Sequence, residues 1–147
     1  MIRQLTAATL LALIGLTPVH AQAPNWEKIR IGVEGNYPPF SKMTPDGKFE
    51  GFDIDIALAI CAEIKAQCTL INQEWDGMMP ALNARKFDLI VASMSITDER
   101  KKVIDFTDKY YNTPSRIVVK ADTPFTDLAS LKGKKIGVLK GSTQEKY

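Results

Sequence analysis

Apolar and polar positions change rhythm several times along the 147 residues, and each change predicts an element. Residues 28–33, "KIRIGV", alternate charge with Ile29, Ile31 and Val33, the two-residue period of a strand. "EGNYPPF" follows, where Gly35, Pro38 and Pro39 argue against regular structure. "TPDGK", residues 44–48, predicts a turn with a hairpin around it. From Phe52 the period lengthens. Phe52, Ile56, Ile60 and Ile64 recur every four residues, with Ala57 and Cys61 beside them, which predicts a helix capped by Asp53. Residues 68–72, "CTLIN", predict a second strand. Residues 76–86 predict a second helix, with Pro80 tolerable only in its first turn. Residues 88–92, "DLIVA", are apolar on both faces, as a parallel strand covered by helices requires. Thr97, Asp98 and Glu99 cap a short helix carrying Arg100. Residues 115–120, "SRIVVK", and 134–139, "KKIGVL", predict two more strands, with a helical connector over 128–133. "KGSTQEKY" then turns into a last helix. Strands alternating with helices predict an α/β fold with a mostly parallel sheet.

The first residues follow a different pattern. Arg3 precedes the apolar run 5–16, Pro18 breaks it, and "VHA" or "AQA" follows. A positive start, an apolar stretch of about a dozen residues and a small-residue end predict a secretory signal peptide over residues 1–21. Cleavage after Ala21 is expected rather than after Ala23, which would leave Pro24 first. The run is shorter than the ~20 apolar residues of a membrane span.

Export changes how the cysteines are read. Cys61 and Cys68 are the only two, and an even pair in an oxidising compartment reads as a disulfide. It would staple the end of the first helix to the start of the next strand. His20 is the only histidine and would leave with the signal, so zinc and histidine-based catalytic sets are not expected. A net charge of +2 suggests neither nucleic acid nor a membrane surface.

In open α/β sheets, ligands sit beyond the carboxyl ends of the strands. Three segments there carry more chemistry than a connection requires. Ser93, Ser95 and Arg100 could receive a carboxylate, since a guanidinium donates two parallel hydrogen bonds to one. They could equally be helix caps and a solvated charge. Gly141, Ser142, Thr143 and Gln144 offer hydroxyls and backbone N–H groups to an anion, or Ser142 is a plain cap. Glu34, Tyr37 and Trp75 could hold a cation against aromatic faces, or the two aromatics could be packing residues.

The segments are more specific together. "IGVEGNYPPF", "GFDIDIALAICAEI", "EWDGMMPALNARKFDLIVASMSITDERKKVIDFTDKYY" and "LKGKKIGVLKGSTQ" occur in this order. The chain resembles the periplasmic solute-binding proteins for polar amino acids, receptors of ABC importers. It is similar in particular to lysine/arginine/ornithine-, histidine- and octopine-binding types. The resemblance implies a periplasmic binding protein type II-like fold: two α/β lobes joined by crossing strands, with the ligand in the cleft between them. Residues 22–113 would belong to lobe 1. Residues 114–147 would supply a hinge strand and the start of lobe 2, so the chain looks truncated.

The resemblance also implies roles. Arg100 would pair with the ligand's α-carboxylate, helped by Ser95 and the N–H of Thr143. Ser93 would accept from the α-ammonium through its carbonyl or hydroxyl. Tyr37 and Trp75 would sandwich the ligand side chain, and Glu34 would face its distal charge. Ser142, Thr143 and Gln144 would be contacts from the second lobe, and Cys61–Cys68 would be a disulfide. No cofactor or metal is implied. The implied partners are a small amino acid and a membrane permease, with no nucleic acid, and the protein would be a periplasmic monomer. Two positions depart from the basic-amino-acid binders, Ala92 where they carry serine and Glu34 where they carry aspartate. With half a cleft, such a chain is expected to bind too weakly to measure. Three other readings compete: a cyclohexadienyl dehydratase-like enzyme on the same fold, the sensing domain of a receptor kinase, and a fragment without function.

Overall fold

A computed structural model describes residues 26–146. The expected signal peptide lies outside the described residues. The main sheet has three parallel strands in the order β5-β1-β6: β1 (Lys28–Val33) at the centre, β5 (Gln67–Asn72) on one side and β6 (Leu89–Ile90) on the other. The registers set Ile31 opposite Leu70 on one neighbour and Leu89 on the other. A second, antiparallel sheet joins β2 (Asn36–Tyr37), β3 (Ser41–Met43) and β4 (Phe49–Glu50). The hairpin at Asp46-Gly47 is as expected. The short ladder through Asn36 and Tyr37 is not, because the turn after it brings Ser41 and Lys42 back into register.

β1 separates two apolar clusters. Ile29, Ile31 and Val33 face α1 (Phe52–Glu63) and pack with its Ile54, Ala57 and Cys61 and with Val91. Met78, Ala81, Phe87 and Ala92 form the second cluster, which includes α2 (Met78–Asn83). The strand expected over 88–92 is confined to Leu89–Ile90, and just beyond it Val91 and Ala92 join opposite clusters. Gly32 in β1 makes room for this layer, since a Cβ there would lie 2.6 Å from the Phe87 ring.

Several elements differ from the sequence expectation. The stripe at Phe52, Ile60 and Ile64 is exposed, while Ile54, Ala57 and Cys61 turn inward. Asp53 is not the cap of α1. Gly51 is, at φ 127°, where a Cβ would strike the Phe40 carbonyl oxygen at 2.5 Å. The second helix opens as a 3₁₀ turn at Trp75–Gly77 before α2 begins. The short helix α3 (Asp98–Lys101) forms, with the Thr97 hydroxyl accepting from the Arg100 N–H at 3.2 Å. The strands expected at residues 115–120 and 134–139 do not form. A strand exists by pairing, and neither segment finds a ladder among the described residues. The helix expected from Lys140 is reduced to a 3₁₀ turn at Gln144–Lys146. Cys61 and Cys68 are bonded, tying the last turns of α1 to β5.

Candidate functional site

The sheet's carboxyl edge gathers the expected residues because β1, β5 and β6 run in parallel and so end on the same side. Glu34 follows β1, Trp75 follows β5, and Ser93 to Arg100 follow β6. Arg100 is at the centre. Its side chain is drawn back from α3 into the site and the residue is only 7% exposed. One guanidinium nitrogen donates to the Ser95 carbonyl at 2.9 Å, and the other to the Gly141 carbonyl at 3.0 Å. The guanidinium carbon sits 5.3 Å from the centre of the Trp75 ring, within cation–π range. Among the described residues no carboxylate forms an ion pair with Arg100. Burial holds its pKa below the usual arginine value, with Glu99 pulling the other way. It nonetheless stays charged. The site therefore contains a nearly buried cation whose two protein acceptors are neutral carbonyls, which suits an incoming anion.

From residues 141–144, Gly141 meets this cation through its carbonyl, while the bonds of Ser142, Thr143 and Gln144 go elsewhere. Gly141 lies beside Trp75, and a Cβ on it would be 3.7 Å from the indole nitrogen. Lys140 pairs with Asp76 at 3.3 Å, and Lys146 pairs with Glu99. Ser142 is buried, and its hydroxyl accepts from the Glu145 N–H at 3.3 Å, so it caps the last turn. Thr143 Oγ1 is 3.3 Å from the Gln144 side-chain oxygen, and Gln144 Nε2 donates to the Ser115 hydroxyl at 3.0 Å.

Glu34 is also only 7% exposed, and its Oε2 has no hydrogen-bond partner among the described residues. Burial pushes its carboxyl up, and Glu74 and Asp76 push the same way. The backbone N–H groups of Asn36 and Trp75 pull it back down. An acidic pole therefore flanks Trp75. Tyr37 is not seen against Trp75. It stacks on Phe40, with ring centres 5.2 Å apart.

Ser93 leads to residues that the sequence reading missed. Its backbone is left-handed, at φ 47°. Its N–H donates to the Tyr110 phenolic oxygen at 2.9 Å, and its hydroxyl donates to Asp53 Oδ1 at 2.9 Å. Tyr110 donates to that same Oδ1, also at 2.9 Å. Asp53 is fully buried, and its other oxygen, Oδ2, has no hydrogen-bond partner among the described residues. Burial pushes the Asp53 carboxyl up while the two hydroxyls pull it down. Burial beside Asp53 raises the Tyr110 phenol to about 12. An aspartate among the otherwise apolar residues that α1 buries, Ile54, Ala57 and Cys61, was the available signal, and reading it as a cap concealed it.

Known proteins share these segments. A family model described as bacterial extracellular solute-binding proteins, family 3, matches residues 29–145. An L-arginine-binding protein of Pseudomonas aeruginosa is 52% identical over 97% of this chain and 54% of its own length. The lysine/arginine/ornithine-binding periplasmic protein of Escherichia coli is 43% identical over 92% of this chain and 53% of its own. A solved structure of an ancestral arginine-binding protein bound to arginine is 42% identical, with a TM-score of 0.77 over 82% of this chain and 54% of that one. The chain thus spans about half the length of the curated relatives it matches.

Proposed function

The chain belongs to the bacterial extracellular solute-binding proteins, family 3, and from that premise we propose that it carries half of an amino-acid receptor's cleft. The whole protein would be the periplasmic binding component of an ABC importer for polar, basic amino acids, working with a membrane permease. Residues 22–113 would form the first lobe, and residues 114–147 the hinge strand and the start of the second. A non-catalytic receptor is favoured over a dehydratase because the relatives named above are binding proteins.

The observation that carries this reading is Arg100: a residue 7% exposed whose guanidinium lies near Trp75 and, among the described residues, is met only by carbonyl oxygens. A ligand carboxylate would supply the anion that the site's own groups do not. Glu34 would receive the distal cation of a basic side chain at the other side of Trp75, and Ser95, Thr143 and Gln144 would line the carboxylate end.

Half a cleft is expected from the sequence to bind too weakly to measure, but Arg100 already meets Gly141 here, so the test is titration of the isotope-labelled chain with L-arginine, followed by amide chemical shifts, which register millimolar affinities. Shifts around Ser95, Arg100 and Gly141 are expected to saturate. Removing one partner of a buried charge pair costs about 3–5 kcal/mol. Arg100→Ala should therefore weaken binding by roughly a hundredfold or more, at 1.4 kcal/mol per factor of ten. Agmatine, which lacks the carboxylate, should bind far less well than arginine. Equal binding of arginine by Arg100→Ala and the unaltered chain would refute the proposal.

A further inference from the structure

Asp53, Ser93 and Tyr110 form a closed hydrogen-bonded set whose polarity can be worked out atom by atom. An ionised carboxylate only accepts hydrogen bonds, so both hydroxyls that approach Asp53 Oδ1 must donate to it. Tyr110 has then spent its only proton on Asp53, and its oxygen is left to accept the Ser93 N–H. Both polar hydrogens of Ser93 are therefore directed inward. What this residue can still present is its carbonyl oxygen and the remaining lone pairs of its hydroxyl, all acceptors. The left-handed backbone at Ser93, uncommon outside glycine, is held by the same bonds.

The neighbouring part of the segment has the opposite polarity. Two residues on, the Ser95 carbonyl is taken by Arg100, whose guanidinium makes that end of the segment a donor to anions. We propose that Asp53 and Tyr110 are positioning residues that make Ser93 an acceptor-only post for the ligand's α-ammonium. The post stands beside the carboxylate end of the same site, and the inference rests on the amino-acid-binding reading given above. A zwitterionic α-carbon then fits in one orientation. Its ammonium faces Ser93, with the buried Asp53 carboxylate one hydrogen bond behind, and its carboxylate faces Arg100. Reversal would set the carboxylate against acceptors.

The test compares two probes on the chain by amide chemical shifts: L-arginine and 5-guanidinopentanoate, which keeps the carboxylate and guanidinium but lacks the α-amino group. The unaltered chain should prefer L-arginine by about ten- to a hundredfold, the usual effect of a hydrogen bond to a charged group. Tyr110→Phe removes the oxygen that holds the Ser93 N–H while keeping the ring beside Phe52. It should weaken L-arginine by at least about fivefold and move 5-guanidinopentanoate by less than about twofold. Asp53→Asn, which keeps the shape and one acceptor oxygen, gives a second measurement should Tyr110→Phe not fold, and the same narrowing is expected. Tyr111→Phe, in the same aromatic group, should leave the ratio unchanged. If the variants weaken both probes in equal proportion, the set is merely structural and the inference fails. If the unaltered chain binds both probes equally, the ammonium post fails while the carboxylate reading survives. If it binds neither, the amino-acid-binding reading itself has failed.

Discussion

Residues 28–33 and 115–120 are alike as sequences and unlike as structures. "KIRIGV" and "SRIVVK" both carry β-branched residues between charges. The first is the central strand of the main sheet, with Ile31 1% exposed. The second forms no ladder, and Val118 is 91% exposed. Propensity is the same in both, so context decides. β1 has a parallel neighbour on each side and an apolar cluster on each face. Strand formation here is a property of the assembled layers and not of the six residues.

The largest expected contrast is between matching truncations in the two segments. Ile31→Ala should cost about 2–5 kcal/mol in denaturant unfolding, because it leaves a cavity in a filled core. Val118→Ala should stay within about 0.5 kcal/mol, as exposed sites do. Comparable losses would mean that residues 115–120 are packed after all.

Next comes the disulfide, which ties α1 to β5 of the main sheet. Replacing Cys61 and Cys68 by serine should lower unfolding stability by about 2–3 kcal/mol. It should leave unchanged the rate at which a protease cuts after Pro114, where cleavage is expected first. Two free thiols in the exported protein would show that the bond never forms.

The smallest effect concerns charge. The carboxyls at Asp122 and Asp127 are exposed, whereas Glu34 is buried at the site. Because burial raises the Glu34 pKa above its ordinary 4.5, the folded chain takes up a proton before the unfolded chain does as pH falls. In that window acid favours folding, since the folded state binds more protons. Binding of a cationic side chain runs the other way, because it needs the anion. Arginine affinity should therefore fall on acidification from pH 7, starting above the usual glutamate range. Glu34→Gln should flatten that part of the profile, and glutamine binding should change less. A profile unaffected by Glu34→Gln would remove Glu34 from the ligand's distal end.

How much of this was legible follows the same division. The three strands of the main sheet, the first helix and the bonded cysteines could be read from period, turn residues and compartment, whereas the order of the strands could not. Arg100 was open from its own segment, where it reads equally as a solvated charge; only the resemblance implied a ligand role, and the structure adds its burial. The inward face of α1 was misread for a geometrical reason. At 3.6 residues per turn, a four-residue spacing drifts by roughly 40° per step. Phe52, Ile56, Ile60 and Ile64 therefore cannot share one face, whereas Ile54, Ala57 and Cys61, spaced three and four, do. Asp53 went unread because its partners, Ser93 and Tyr110, are 40 and 57 residues away. No local pattern encodes a contact of that range. The later strands failed because their pairing is not local either.

The Gly141 carbonyl on Arg100 has a consequence for recognition. With that acceptor in place, an arriving ligand performs an exchange: its oxygen replaces the carbonyl on the guanidinium. The driving force is the difference between a charge-assisted hydrogen bond and a neutral one. An amide or ester in place of the carboxylate would offer Arg100 an acceptor much like the one already there. It would displace Gly141 for almost no gain. The site would thus reject uncharged mimics of its ligand by competition from its own backbone, with no steric clash required.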